Sequence, residues 1–357
     1  MTDFNKYIIQ GEPDEKQKAS IWQAAIGLQD VDGLQTSDYL LQTATQHIEG
    51  DITIGEVKHM IDTYYQSKTN RTEIEDARTE EADKVSARIT EILSEQSFSF
   101  TPDYLIRIHQ RLFEGLYQFA GQLRTYDITK KEWVLDGDTV LYSGHDMIRT
   151  TLEYDFAQEK KTNYPSLDAV TALQHICRFV SGIWQIHPFG EGNTRTTAVF
   201  TMKYLKSFSF TVDNKVFKQH SWYFRNALVR ANYNNYPKGV SATHVYLELF
   251  FRNLLFGEHN TLSNRQMHIS SSQSANTAVS KSQNGTLNDT VNCSLEELAL
   301  LKFVKQNPSA TQADIARHIA KSERTVKRIT PVLIERGLLE RENGKRNGQW
   351  VVKTNIL

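Results

Sequence analysis

The sequence predicts a mainly α-helical protein, with one short β-hairpin among the helices and a small module of three helices and two strands near the C-terminus. Three observations carry that reading. From Asp168 to Ile186 the apolar residues Val170, Leu173, Ile176, Cys177, Val180, Ile183 and Trp184 recur at helical spacing. Residues 123–142 break that period: Tyr126–Thr129 and Trp133–Leu135 alternate weakly, Asp136-Gly137-Asp138 marks a turn, and Val140-Leu141-Tyr142 returns. From about Glu258 to Asn292 Ser, Asn, Gln and Thr dominate, and few apolar residues could anchor a core.

Each element has its own signals. Leu40, Leu41, Ala44 and Ile48 form one apolar face of a helix over about residues 37–50, and Gly50 suits its C-cap. Glu49 then stands at a helix C-terminus, where a negative charge calls for a cationic partner. The 168–186 helix runs directly into His187-Pro188-Phe189-Gly190-Glu191-Gly192-Asn193-Thr194-Arg195, and Pro188 stops it. A further helix starts at Asn193 or Thr194, with Val199, Met202 and Leu205 inward. The nine residues thus sit between two core helices that hold them rigidly.

Beyond the polar stretch, Ser294-Leu295-Glu296-Glu297 reads as a capping box before Leu298, Leu300, Leu301 and Val304. Thr311 precedes a second helix with Ile315, Ala316 and Ile319. Ser322 caps a third, with Val326, Ile329, Val332 and Leu333 inward, although Pro331 removes a hydrogen bond inside it. Leu338–Glu342 and Gln349–Val352 flank Asn343–Gly348 as strand, wing loop and strand. This is the pattern of a winged helix-turn-helix, expected to fold alone. The division reads as an N-terminal helical region over 1–95, a core over 96–257, a polar linker over 258–292 and the winged helix over 293–357.

Composition bounds the function. The 357 residues suffice for two or three domains, and a formal net charge of −1 gives no global pull toward nucleic acid or membrane. The two cysteines, Cys177 and Cys293, match neither metal spacing nor a disulfide framework. The N-terminus has no basic segment followed by an apolar run, and no stretch stays apolar for about 18 residues. The expectation is a cytoplasmic protein without a membrane partner; a homo-oligomer is compatible with the sequence.

The nine residues His187–Arg195 carry the chemistry. A packed core has no reason to collect a base, a carboxylate, two glycines, an amide and a guanidinium there. Gly190, Gly192 and Asn193 would offer backbone donors to a phosphate at a helix N-terminus. Glu191 suits a hard divalent cation, Arg195 can fork onto phosphate oxygens, and His187 can accept a proton near neutral pH. Together they point to phosphoryl or nucleotidyl transfer onto a hydroxyl.

This string resembles the signature of the Fic family, HPFx[D/E]GNGRxxR, and departs from it at two positions. Thr194 replaces the second glycine, and Ala198 replaces the second arginine. The resemblance implies a Fic-type helical domain that transfers AMP from ATP to a protein Ser, Thr or Tyr hydroxyl, itself included. His187 would be the base, Glu191 the Mg²⁺ ligand, and Gly190, Gly192, Asn193, Thr194 and Arg195 the nucleotide contacts. If position 194 needs a positive φ, threonine is strained; in the first helical turn it costs little. Ala198 removes a guanidinium that contacts distal phosphate in the family, so a different phosphate-containing donor stays open. A DNA-binding regulator with a nucleotide-sensing site is a further alternative.

Gly121-Gln122-Leu123-Arg124 resembles the segment before the Fic flap, which aligns target backbone by strand addition. A plain surface hairpin is the alternative. Thr45-Gln46-His47-Ile48-Glu49-Gly50 resembles the family's inhibitory motif, which makes Thr45, Glu49 and Gly50 regulatory and sets their helix beside the active site. In the family that glutamate meets the second signature arginine, here Ala198. In the winged helix, Lys321, Arg324, Lys327 and Arg328, with Lys345 and Arg346 on the wing, suit phosphate contacts on duplex DNA. Nearby glutamates dilute that patch, so a protein-contact role stays open.

Overall fold

The computed structural model describes residues 4–67, 74–208, 214–270, 293–319, 321–342 and 348–353. Lys345 and Arg346 of the wing, and the linker from 271 to 292, lie outside the described residues. The helices are α1 (Asn5–Gln10), α2 (Pro13–Gly27), α3 (Asp38–Glu49), α4 (Ile54–Ser67), α5 (Ile74–Ser94), α6 (Pro102–Phe113), α7 (Ile148–Glu159), α8 (Ala169–Ile186), α9 (Asn193–Ser207), α10 (Asn214–Ala231), α11 (Val245–Phe251), α12 (Asn264–Met267), α13 (Leu295–Gln306), α14 (Gln312–His318) and α15 (Glu323–Glu335). Two strands follow, β1 (Leu339–Glu342) and β2 (Gln349–Val352), paired antiparallel with Leu339 opposite Val352. Among the described residues no helix is long and apolar enough to cross a membrane.

The N-terminal helices divide between two cores. Phe4, Tyr7, Trp22, Leu40, Leu41, Ala44 and Ile48 pack into a small one. Ile21, Ala24 and Ala25, from another face of α2, and Leu28 just after it join the large one with α5, α6, α8, α9 and α10. Close approach makes that possible: a Cβ on Gly27 would come within 2.4 Å of the Lys218 Cα. Asp168 caps α8 by accepting from the Val170 and Thr171 N–H groups, at 3.0 Å each. Cys177 and Cys293 are both buried free thiols.

The winged helix forms as the sequence implies. Ser294 with Glu297 and Thr311 with Asp314 are reciprocal capping boxes, and Ser322 caps α15. α15 continues through Pro331, whose side is exposed. Val332 is 42% exposed, so it does not join Val326, Ile329 and Leu333 inside. Lys321 is held by Glu296 at 2.9 Å and stands before α15, outside its open face.

The expected hairpin over 123–142 needs correction. Among the described residues the ladder is that of β1 and β2; residues 123–142 run as two loop arms around a 3₁₀ turn, Trp133–Leu135. The Glu132 N–H donates to the Asp138 carbonyl at 2.9 Å, yet other carbonyls of the arms turn elsewhere. Tyr126 and Ser143 accept from the Arg124 guanidinium, Leu141 from Gln185, and Val134 from the Ile269 N–H. Asp136, at φ 57°, and Gly137, at φ 82°, close the turn. Ile269 belongs to a stretch that reads as polar linker. Its beginning is packed instead: Met267 is fully buried, and His268 lies edge-on to Trp133.

Candidate active site

α8 and α9 meet at the signature, as the sequence implies. His187 ends α8 in the left-handed region at φ 51°, and its N–H donates to the Trp184 carbonyl at 3.0 Å. Gly192, at φ 76°, precedes α9, and the first helical bond is Thr196 N–H to the Gly192 carbonyl at 3.0 Å. A Cβ on Gly192 would meet the Phe113 ring at 2.3 Å, so both conformation and space demand glycine. The N-cap residue Gly192 has no side chain to cap α9, so the first N–H groups of the helix keep their donor capacity.

The open question at Thr194 resolves here. The positive φ belongs to Gly192, and Thr194 is already helical. Its hydroxyl accepts the Trp184 indole N–H at 3.0 Å, tying α9 to α8. The Asn193 side chain is also a brace: Oδ1 accepts the Phe189 N–H at 3.0 Å and Nδ2 donates to the Phe189 carbonyl at 2.7 Å. Its expected phosphate contact is therefore left to its backbone. Ala198 is fully buried on α9.

His187 is 3% exposed. Burial, helped by Lys130, drives its pKa well below the usual value, so the imidazole is neutral at pH 7. Nδ1 lies 3.3 Å from the Trp184 carbonyl, which assigns the proton there. Nε2 is buried without a hydrogen-bond partner among the described residues. The Tyr142 ring packs 4.3 Å from the imidazole, and the Tyr142 hydroxyl donates to buried Glu132 at 3.3 Å.

Two supports around the loop come from far along the chain. The Arg124 Nε donates to the His187 carbonyl at 2.8 Å and Nη2 to the Ile186 carbonyl at 3.2 Å. It thereby satisfies carbonyls left open at the α8 C-terminus while also holding the Tyr126 and Ser143 carbonyls. His109 accepts the Gly121 N–H on Nδ1 at 2.9 Å, so Nε2 carries the proton and donates to the Glu191 carbonyl at 3.0 Å. Its ring stacks on Phe189 at 3.7 Å, and burial lowers its pKa to about 4. Nothing in the sequence marks His109, because a buried helical histidine has no distinctive spacing.

A cleft of about 810 Å³ opens beside the loop, lined by Glu191 and Arg195 among others. The Glu191 carboxylate is ion-paired with Lys130 of the 123–142 segment at 2.9 Å. Arg195 is buried and heavily engaged. Its Nε meets Asp32 at 2.8 Å, Nη2 meets Glu81 at 2.6 Å, and Nη1 donates to Gln29 Oε1 at 3.2 Å. The Phe113 ring lies beneath its guanidinium at 4.8 Å. Burial opposes its charge, but Asp32, Tyr117 and Glu81 more than offset it and raise its pKa.

The acids facing Arg195 are thus Asp32 and Glu81. The structure does not bring Thr45, Glu49 and Gly50 to the signature, which corrects the expectation that their helix packs beside it. α3 buries Leu40, Leu41, Ala44 and Ile48 in the small N-terminal core, which turns its C-terminus toward α1. There Glu49 accepts from the Tyr7 hydroxyl and pairs with Lys6 at 3.6 Å. The cation that a C-terminal glutamate calls for is present, but it is Lys6. Gly50 caps α3 at φ 88°, and the Thr45 hydroxyl bonds back to the Leu41 carbonyl at 2.9 Å. Farther off on α15, Arg324 and Arg328 are exposed, and Lys327 pairs with Glu323 at 3.3 Å.

Residues 99–205 match the Fic/DOC family, and residues 297–340 match winged helix-turn-helix DNA-binding domains. The chain therefore carries a Fic/DOC domain followed by a winged helix. The protein adenylyltransferase VbhT of Bartonella schoenbuchensis is 26% identical over 117 residues, covering 33% of this chain and 23% of VbhT. The match thus spans about a quarter of that relative's length. A Fic family protein from Desulfovibrio desulfuricans G20 superposes with a TM-score of 0.39 at 13% identity, over 98% of this chain and 94% of that one. The domain match supports a transferase of the Fic type.

Proposed function

We propose that this chain is a Fic-type transferase that moves AMP from ATP to a Ser, Thr or Tyr hydroxyl of a protein, its own chain included. One observation carries the reading: a neutral, buried histidine presents an unpartnered Nε2 beside an uncapped helix N-terminus and a cleft-facing carboxylate. Nε2 takes the proton of the target hydroxyl. The oxygen attacks the α-phosphorus, the bond to the bridging oxygen breaks, and pyrophosphate leaves with that electron pair. His187 is held by the Trp184 carbonyl and by Arg124 on its own carbonyl, so little reorganisation accompanies proton transfer. The α9 N–H groups face the phosphate charge.

The donor set fits Mg²⁺. Among the described residues no cluster of three or more potential ligands forms a cage. Mg²⁺ commonly needs only one or two carboxylates plus substrate phosphates, and Glu191 supplies one. When bound there, the ion would neutralise phosphate charge. Lys130 occupies the same carboxylate now and would yield it.

Asp32 and Glu81 compete with phosphate for Arg195, so the resting site restrains its own nucleotide binding. This control would not depend on Glu49. A second reading, a donor other than ATP, is favoured by buried Ala198, where no guanidinium stands. The winged helix is proposed to engage duplex DNA through Arg324 and Arg328. Intact mass after incubation with ATP and Mg²⁺ tests the primary reading. A gain of one AMP in the wild type and none in His187→Ala supports it. Transfer at the wild-type rate in that variant, or gain from another nucleotide alone, overturns it.

A further inference from the structure

The cleft lacks the second signature arginine, and its first is already matched by acids. Which groups, then, meet the far phosphates of a donor? Among the described residues, four cationic side chains line the cleft: Arg78, Lys131, Arg195 and Arg225. Arg195 is held by two carboxylates. Arg225 meets buried Glu132 with both terminal nitrogens, at 2.7 and 3.2 Å, a matched fork.

The other two differ. Arg78, exposed on α5, donates from Nη2 to the Asp32 and Gly33 carbonyls at 3.0 and 3.1 Å. Those bonds orient the guanidinium, and among the described residues no carboxylate pairs with it. Lys131, exposed on the flap, has no hydrogen-bond or ion-pair partner among the described residues. The two come from different elements and line one cleft with Glu191.

We propose that Arg78 and Lys131 form a distal polyphosphate site, taking over for this chain the charge that Ala198 leaves out. The inference rests on the phosphate-transfer reading of the signature. Arg78 is the fixed jaw, because backbone carbonyls set its direction. Lys131 is the adaptable one, a strongly hydrated point charge on a flexible stem that can follow the flap. A nucleoside monophosphate reaches the signature loop without engaging either. A triphosphate extends beyond the loop and engages both.

The test is calorimetric titration of the full chain with ATP plus Mg²⁺ and separately with AMP. Arg78→Met and Lys131→Met should each weaken ATP by about tenfold, as expected for losing a charge-assisted hydrogen bond. The double variant should lose more, and AMP affinity should stay within about twofold by the same reasoning. Lys131→Arg should retain the preference for ATP. Lys131 is exposed, so Lys131→Met should not move the melting temperature; Arg78→Met loses its two carbonyl bonds and should melt slightly lower, which the unchanged AMP affinity separates from a damaged site. An unchanged ratio of ATP to AMP affinity in the double variant overturns the proposal. So does an equal fall for both ligands, or a wild type with no preference for ATP. A wild type that shows the preference, loses it in the variants, and never gains AMP mass leaves this site standing and sinks the transfer reading.

Discussion

Removing the charge of Glu81 should weaken the fold and strengthen nucleotide binding. Arg195 is 1% exposed, and its Nη2 meets Glu81 at 2.6 Å. Glu81→Gln keeps an acceptor at that distance and leaves Asp32 on Nε, so the guanidinium stays partly matched. Stripping a buried charge of its partner costs ~3–5 kcal/mol. With Asp32 retained, and the Glu81 side chain 19% exposed, the expected loss is nearer ~1–2 kcal/mol. That should lower the melting temperature by ~2–6 °C. Against this, a negative charge a few ångströms from bound phosphate is gone. At an effective dielectric of about 20 and a separation of ~6 Å the repulsion removed is at most ~3 kcal/mol, and screening leaves about 1. ATP should bind about fivefold more tightly. The two effects have opposite signs, so calorimetry and a melt with and without ATP separate them. The variant should melt lower alone and gain more from ATP than the wild type does. If ATP affinity falls along with stability, the carboxylates hold Arg195 for phosphate rather than against it, and the proposed restraint is refuted.

Other consequences can be checked in parallel. The His187 pKa lies well below 6.5, so the base is lost only as pH falls through that depressed value. A profile of kcat/KM against pH should be flat from neutrality down past 6.5; an acid limb at or above 6.5 contradicts the assignment. Glu191→Ala should abolish Mg²⁺-dependent transfer and weaken Mg²⁺–ATP while leaving AMP binding nearly unchanged. Persistent transfer in chelator excludes the metal role. Arg324→Ala and Arg328→Ala should each flatten the salt dependence of any duplex DNA binding by about 0.9 in log–log slope. A full chain that shifts no duplex at low salt points instead to protein contacts.

What the sequence made legible is local. The helix over 168–186, the turn into the signature and the three winged-helix caps follow from spacing and from residues that act on their immediate neighbours. The groups that complete the site act over long sequence distances. Asp32 sits at the end of a 3₁₀ turn and Glu81 midway along α5, and neither differs in local pattern from a solvated carboxylate. Glu49 shows the converse. Its motif is conspicuous, but helix packing decides where it points, and the apolar face of α3 belongs to the other core. The 123–142 segment forms no ladder among the described residues for a similar reason. Alternation proposes a ladder, and the Gln185 side chain of α8, the Arg124 guanidinium and the Ile269 backbone N–H claim the carbonyls first.

The caps and apolar spacing of the winged helix predict a unit that folds by itself, but its packing argues that it is energetically joined to the catalytic domain. Leu295, Leu298, Leu301 and Val304 of α13 belong to the same continuous core as α8 and α9. The Cys293 carbonyl accepts the Ala169 N–H at 2.9 Å, at the N-terminal end of the helix that finishes in His187. Lys302 donates to the Leu255 carbonyl, which ties α13 to the turn after α11. Cutting the chain after residue 292 would expose those contacts on the catalytic side. Even a few side chains returned to water cost ~1.5–3 kcal/mol each. A domain of ordinary stability has ~5–15 kcal/mol in all. The full chain should therefore melt in one cooperative transition, and a chain ending at 292 should melt several degrees lower. Two separate transitions, with the catalytic one unmoved by the truncation, would show two independent modules and refute the coupling.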